Sequence, residues 1–186
     1  MISANQVRKG LALQYRNDVF EVVDFQHVKP GKGAAFVKVK LKSLTTERVL
    51  EDSLRPEDKL DELYMEEKKY QYLYRQGDQY VFMDLTSFEQ IELSKQKVEH
   101  LLPYLLENME VSARENEGRL FGLSLPNTVE LRITETAPNY KGDTSGGGKP
   151  ATMETGATVT VPFFLDPDDV IRVDTRTGEY LGRAKE

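Results

Sequence analysis

Lys32 stands between two glycines in the run Lys29-Pro30-Gly31-Lys32-Gly33-Ala34, a spacing that offers one cation to a partner with little around it. Glycines allow a tight turn, including positive φ, at low steric cost, and they remove side chains that would shield the amine. The run follows Val19-Phe20-Glu21-Val22-Val23-Asp24-Phe25, rich in β-branched and aromatic residues. It precedes an alternating stretch with Ala35, Val37, Val39 and Leu41 on one face and Lys38, Lys40 and Lys42 on the other. Pairing residues 19–27 with 34–41 would build an arm of about 25 Å at about 3.3 Å per residue, with roughly 6 Å more from the lysine. Such an arm suits delivery of a cation into a confined, anionic place. Taken alone, Pro-Gly-Lys-Gly is also the tip of an ordinary solvated hairpin.

A second segment, from Thr134 to Pro150, contains Lys141, Gly142, Asp143, Thr144, Gly146, Gly147, Gly148 and Lys149. Gly146-Gly147-Gly148-Lys149 invites comparison with a phosphate-binding P-loop, and the comparison fails. Gly142 lies one residue too far upstream, Pro150 replaces the hydroxyl residue that holds magnesium, and no long helix follows. The spacing reads as a connecting loop, although its backbone amides are able to bind an RNA phosphate. Asp166-Pro167-Asp168-Asp169 lacks the ligand spacing of a calcium loop and reads as a solvated turn. Tyr70, Tyr72 and Tyr74 share a face that suits base stacking or, more simply, a core. His27 has no nucleophile motif beside it, and no enzyme signature or cofactor site is expected.

The elements that must position these residues are mostly strands. Period-two alternation and turn residues predict further strands over 48–54, 69–75, 79–84, 90–93, 109–115, 119–124, 128–135, 157–164, 170–174 and 180–181. Gly77 and the stretch Asp174-Thr175-Arg176-Thr177-Gly178-Glu179 mark hairpin turns. One short helix is expected over 95–102, where Val98, Leu101 and Leu102 share a face and Pro103 limits it. Many short strands punctuated by turns imply small barrels or sandwiches. The acidic stretch at 56–67 and Leu125-Pro126-Asn127 divide the chain into three units, 1–63, 64–127 and 128–186. Units of that size are individually marginal and are expected to share interfaces. No internal repeat is evident.

Composition bounds the function. Of 186 residues, 39% are hydrophobic and 30% charged, the mix of a soluble globular protein rather than a disordered one. No apolar run is long enough to span a bilayer, and no secretory signal is visible, so a cytoplasmic protein is expected. With no cysteine and two histidines, a thiolate or histidine metal site is not expected. The net charge of −6 disfavours RNA only on average, because Lys29, Lys32, Lys38, Lys40 and Lys42 fall in a stretch without acids. A basic finger on an acidic body would accept RNA in one orientation.

The order of segments resembles bacterial elongation factor P from end to end. The likeness rests on Val22 through Val37, Gln71-Tyr72-Leu73-Tyr74, Tyr80-Val81-Phe82-Met83-Asp84, Phe88-Glu89-Gln90-Ile91, Thr134 through Gly156, and Val159-Thr160-Val161-Pro162-Phe163-Phe164. The resemblance implies an all-β protein: an SH3-like (KOW-type) barrel followed by two OB-folds, in an L-shaped arrangement like a transfer RNA. It implies binding to the ribosome, through ribosomal RNA, between the peptidyl and exit tRNA sites. There the tip residue, Lys32 here, would approach the acceptor end of peptidyl-tRNA and relieve stalling at consecutive prolines. Lys29, Pro30, Gly31, Gly33 and Ala34 would then contact RNA with the tip, and Lys38, Lys40 and Lys42 would form a basic face. A lysine-modifying enzyme is a further implied partner; rhamnose belongs to arginine tips and is excluded by Lys32. A monomer is expected. Two departures are local: Leu44-Thr45-Thr46-Glu47 lacks the glycine usual after that strand, and Arg55-Pro56-Glu57-Asp58 replaces a Gly-containing segment. The rival readings are a general single-stranded RNA binder, which would bind oligonucleotides without the ribosome, and a paralogue with other stall preferences.

Overall fold

The structure is a computed structural model that describes residues 1–138 and 147–184. The described residues form sixteen strands and one four-residue α-helix. In order these are β1 (Ile2–Ser3), β2 (Ala12–Tyr15), β3 (Asp18–Val28), β4 (Phe36–Ser43), β5 (Val49–Leu54), β6 (Lys59–Leu63), β7 (Glu66–Gln76), β8 (Gln79–Asp84) and β9 (Gln90–Ser94). Helix α1 (Lys95–Val98) is followed by β10 (Glu110–Asn116), β11 (Arg119–Ser124), β12 (Thr128–Thr136), β13 (Lys149–Met153), β14 (Thr158–Val161), β15 (Val170–Asp174) and β16 (Tyr180–Arg183). They form three sheets, ordered β1-β6-β2-β3-β4-β5, β11-β10-β7-β8-β9 and β14-β13-β12-β15-β16. The expected all-β class is what the chain adopts. Its contacts group into two compact units, Met1–Lys68 with Ala113–Gly122, and Lys69–Ser112 with Leu123–Glu186.

In the first unit the alternation of β4 does what a half-buried strand requires. Val37, Val39 and Leu41 are at most 1% exposed and pack with Leu13, Phe20, Val22, Leu54 and Leu60. Each such side chain contributes about 1.5–3 kcal/mol by leaving water. Tyr15 Oη donates to Asp52 at 2.6 Å, joining β2 to β5 although two strands lie between them in the sheet, so the sheet curls back on itself. That bond from Tyr15 outweighs burial and, with Ser53 N–H and Arg16, holds the Asp52 carboxyl below its ordinary range. Burial and the same carboxylate push the Tyr15 phenol up. A bulge between Val22 and Asp24 interrupts the β3–β4 ladder and sharpens its twist.

In the second unit, Tyr70, Tyr72, Tyr80 and Phe82 are buried, with Tyr72 and Phe82 ring centroids 5.3 Å apart. Tyr74 is exposed, so the tyrosine face is core for two of its three members. A separate cluster of Val129, Leu131, Ile133, Met153, Val159, Leu165 and Ile171 fills the third sheet. The helix expected over 95–102 is shorter than its apolar face suggested. After Val98 the chain continues in i,i+3 turns, with N–H of Leu101, Leu102 and Tyr104 donating to Val98, Glu99 and Leu101. Strands β1, β6 and β13 were not expected. β6 lies inside the acidic stretch and has a single buried residue, Leu60, so its composition hid its pattern.

One turn recurs in all three sheets with the same register. It joins β4 to β5 at Ser43–Arg48, β8 to β9 at Asp84–Glu89 and β15 to β16 at Asp174–Glu179. The residues just outside pair as Lys42↔Val49, Met83↔Gln90 and Val173↔Tyr180. In each, the first N–H donates to the sixth carbonyl and the fifth N–H to the first carbonyl, at 2.7–3.0 Å. The first side chain is a buried oxygen that accepts from the third residue's N–H: Ser43 Oγ from Thr45, Asp84 Oδ1 from Thr86, Asp174 Oδ1 from Arg176. The fifth residue is left-handed in every copy: Glu47 (φ 60°), Phe88 (φ 60°) and Gly178 (φ 75°).

Candidate functional site

The pair Val28↔Phe36 closes the β3–β4 hairpin and leaves residues 29–35 as a seven-residue loop. The expected pairing of the two strands forms, from Phe20↔Ser43 to Val28↔Phe36, but the hairpin is not isolated from the rest of the sheet. β5 covers β4 from Lys42 to Val37, so nearly the whole length of β4 belongs to the curled sheet. Only the last pair and the loop pass beyond it. Within the loop, Lys29, Pro30, Gly31, Lys32, Gly33, Ala34 and Ala35 are all exposed. Gly33 takes φ +112°, a conformation that side chains resist; a Cβ there would meet Pro30 Cγ at an ordinary 3.7 Å. Gly31 has no such φ, and a Cβ on it would meet nothing within 4 Å, so its use is to leave space beside Lys32. Among the described residues, neither Lys29 nor Lys32 has a hydrogen bond or ion pair with the protein.

The lysines along β4 differ. Register places Lys38 between Gln26 and Ser53, Lys40 between Asp24 and Glu51, and Lys42 between Glu21 and Val49, so each has at least one polar or acidic neighbour across the ladder. Lys38 and Lys40 reach Glu51 at 3.3 and 3.9 Å, and Lys42 reaches Glu47 at 3.7 Å. Asp24 also holds Lys9 at 2.8 Å, a contact that, with Phe25 N–H and Lys40, keeps its carboxyl below the ordinary range. Glu21 meets Arg114 at 2.9 Å. The face is therefore of mixed sign, because pairing brings in acids from neighbouring strands that the local sequence does not show. Exposed pairs of this kind add at most about 1 kcal/mol each, and their main effect is to cancel charge. What stays uncompensated is the tip.

Of the second candidate segment, Lys141, Gly142, Asp143, Thr144 and Gly146 lie outside the described residues. Gly147 is exposed, but Lys149 opens β13 rather than sitting in a loop. It is 4% exposed, and its Nζ donates to the Ala137 carbonyl at 2.6 Å. The cause is β pairing with β14, in which Lys149 faces Val161. Gly148 takes φ +135°, and a Cβ there would lie 2.5 Å from the Val161 carbonyl oxygen. Asp166–Asp169 forms the expected turn, closed by Asp169 Oδ2 accepting from Asp166 N–H at 2.9 Å. His27 is exposed, and its ring meets Phe25 edge-on at 5.6 Å.

Comparison with known proteins follows the same order along the chain. Residues 3–60 match the family described as Elongation factor P (EF-P) KOW-like domain, 65–123 the Elongation factor P (EF-P) OB domain, and 129–183 Elongation factor P, C-terminal. The chain belongs to the bacterial elongation factor P family. Elongation factor P of Thermoanaerobacter sp. is 50% identical over 98% of this chain and all of that protein. Elongation factor P of Moorella thermoacetica is 48% identical over 99% of this chain and all of its own length. A translation initiation factor eif-5a family protein from Naegleria fowleri, 16% identical, superposes with a TM-score of 0.50 over 67% of this chain and 96% of that one, a likeness of fold alone. In this family of translation elongation factors, a KOW-like domain carries the β3–β4 tip and OB domains follow it.

Proposed function

We propose that this chain works on the ribosome without catalysing a reaction itself, by holding Lys32 against the acceptor end of peptidyl-tRNA between the peptidyl and exit sites. Three barrels, 1–63, 64–127 and 128–186, would carry that tip as a monomer in the cytoplasm. The observation that supports the reading is the contrast within one hairpin: the lysines of β4 are answered by acids, and Lys32 is exposed and answered by none of the described residues. An amine kept free of internal partners is available to RNA phosphate, and to a modifying enzyme that would lengthen it.

The chemistry asked of it is orientation. Proline has a fixed φ and a secondary amine, so bonds between consecutive prolines form slowly on a badly placed nascent chain. A cation that restricts peptidyl-tRNA to reactive geometries lowers the entropic part of that barrier. A gain of about 100-fold needs about 2.7 kcal/mol, within reach of a few charge-assisted contacts to phosphate. Lys32→Ala is expected to fold normally and to lose rescue in a consecutive-proline stall reporter. Full rescue by that variant would end the proposal.

A further inference from the structure

The turn repeated in the three sheets isolates one residue that the fold does not ask for. Its fifth position is left-handed, which glycine adopts freely and other residues only with strain. Gly178 is the strain-free choice. Glu47 has an ion pair with Lys42 to show for the position. Phe88 is left-handed at φ 60° and 67% exposed, and among the described residues its ring meets no other ring and no cation. Strain that the fold does not use, at an exposed aromatic on a hairpin tip, points to recognition.

We propose that Phe88 is a docking residue for a basic protein surface, its ring seated in an apolar socket of that partner. Charge selects this class over RNA. From Gln76 to Ser94 the chain has no lysine or arginine; Glu89, beside Phe88, and Glu92 are exposed acids, whereas Asp84 is buried in the turn and Asp78, at the far end of the hairpin, meets Arg75 at 3.8 Å. Lys69 lies beside the turn, its carbonyl accepting from Leu85 N–H, but its ammonium is held by Ser112 and faces Glu110. Stacking on a nucleic-acid base needs cations nearby to hold the backbone, and this hairpin repels phosphate. An acidic hairpin with one aromatic at its end fits a positively charged protein.

The inference rests on the ribosome as the binding platform, and the test separates the two. Binding to purified 70S ribosomes is measured by sedimentation for the unsubstituted chain, Phe88→Gly and Phe88→Tyr, with thermal melts alongside. Phe88→Gly is expected to raise Tm by about 2–4 °C as the left-handed strain is relieved, while binding weakens about tenfold. Phe88→Tyr is expected to keep the affinity. A photoreactive benzophenone amino acid placed at position 88 is expected to crosslink to a basic ribosomal protein. A crosslink to ribosomal RNA, unchanged affinity of Phe88→Gly, or a lowered or unchanged Tm would each overturn the proposal. Failure of the unsubstituted chain to bind 70S ribosomes would overturn the ribosome reading and this one with it.

Discussion

Two lysines of this chain that directly follow a glycine meet opposite fates. Lys32, in Gly31-Lys32-Gly33, is exposed on a seven-residue loop with no partner among the described residues, and Lys149, after Gly147-Gly148, is buried at the start of a strand. The neighbouring glycines explain the difference. Gly148 allows β13 to approach β14 so closely that a methyl group would collide with the Val161 carbonyl, and Lys149 is drawn inward with it. Gly31 has empty space around it and simply uncovers its neighbour. Like residues in like sequence thus serve packing in one region and presentation in the other.

The sharpest way to break this contrast is to add a methyl group on each side. Gly148→Ala is expected to destabilise the chain by about 3 kcal/mol or more, through the 2.5 Å backbone clash and a φ that alanine resists. Gly31→Ala is expected to stay within about 0.5 kcal/mol; chemical denaturation of both variants reads the difference. Next in size are the lysines themselves. Lys149→Ala, which removes a buried, packed stem and its hydrogen bond to the Ala137 carbonyl, is expected to cost about 2–3 kcal/mol, against about 0.5 kcal/mol or less for Lys32→Ala. Equal losses for the two would refute the comparison.

The smallest effect concerns charges that serve the fold. Arg176, by its guanidinium and its N–H, holds the Asp174 carboxyl at about 2 against an ordinary 3.8. A carboxyl depressed on folding stabilises the folded chain above the ordinary value, and that contribution fades as pH falls through the folded one. The Tm advantage of the unsubstituted chain over Asp174→Asn should therefore shrink between pH 3.8 and about 2. An advantage constant across that interval would show that the contact with Arg176 does not carry it.

Much of the fold is legible in the sequence, and the rest is hidden for identifiable reasons. The alternation of β4 and the strands of the second and third sheets, β13 excepted, follow from period two. The tip is readable because Gly31 and Gly33 mark it, although only Gly33 has the positive φ that the pair suggested. The pairing of Lys38 and Lys40 with Glu51 is not readable, since it depends on register between strands more than ten residues apart. β13 is masked by Gly147, Gly148 and Pro150, which look like a loop until strand pairing claims them. The recurring turn is hidden for another reason. Its copies share only a short oxygen-bearing side chain first (Ser43, Asp84, Asp174) and a hydroxyl fourth (Thr46, Ser87, Thr177), while the left-handed fifth position takes Glu47, Phe88 or Gly178, so the pattern is too sparse to mark the turn.

The acids that answer the β4 lysines also set how this finger would feel dissolved electrolyte. Each phosphate neutralised on nucleic acid liberates a condensed counterion, so affinity falls with ionic strength in proportion to the cations engaged. With Lys38, Lys40 and Lys42 already answered internally, only Lys29 and Lys32 of this finger remain to displace counterions. The dependence would be shallow, and the finger's hold on RNA would change little as the cell's ion content rises and falls.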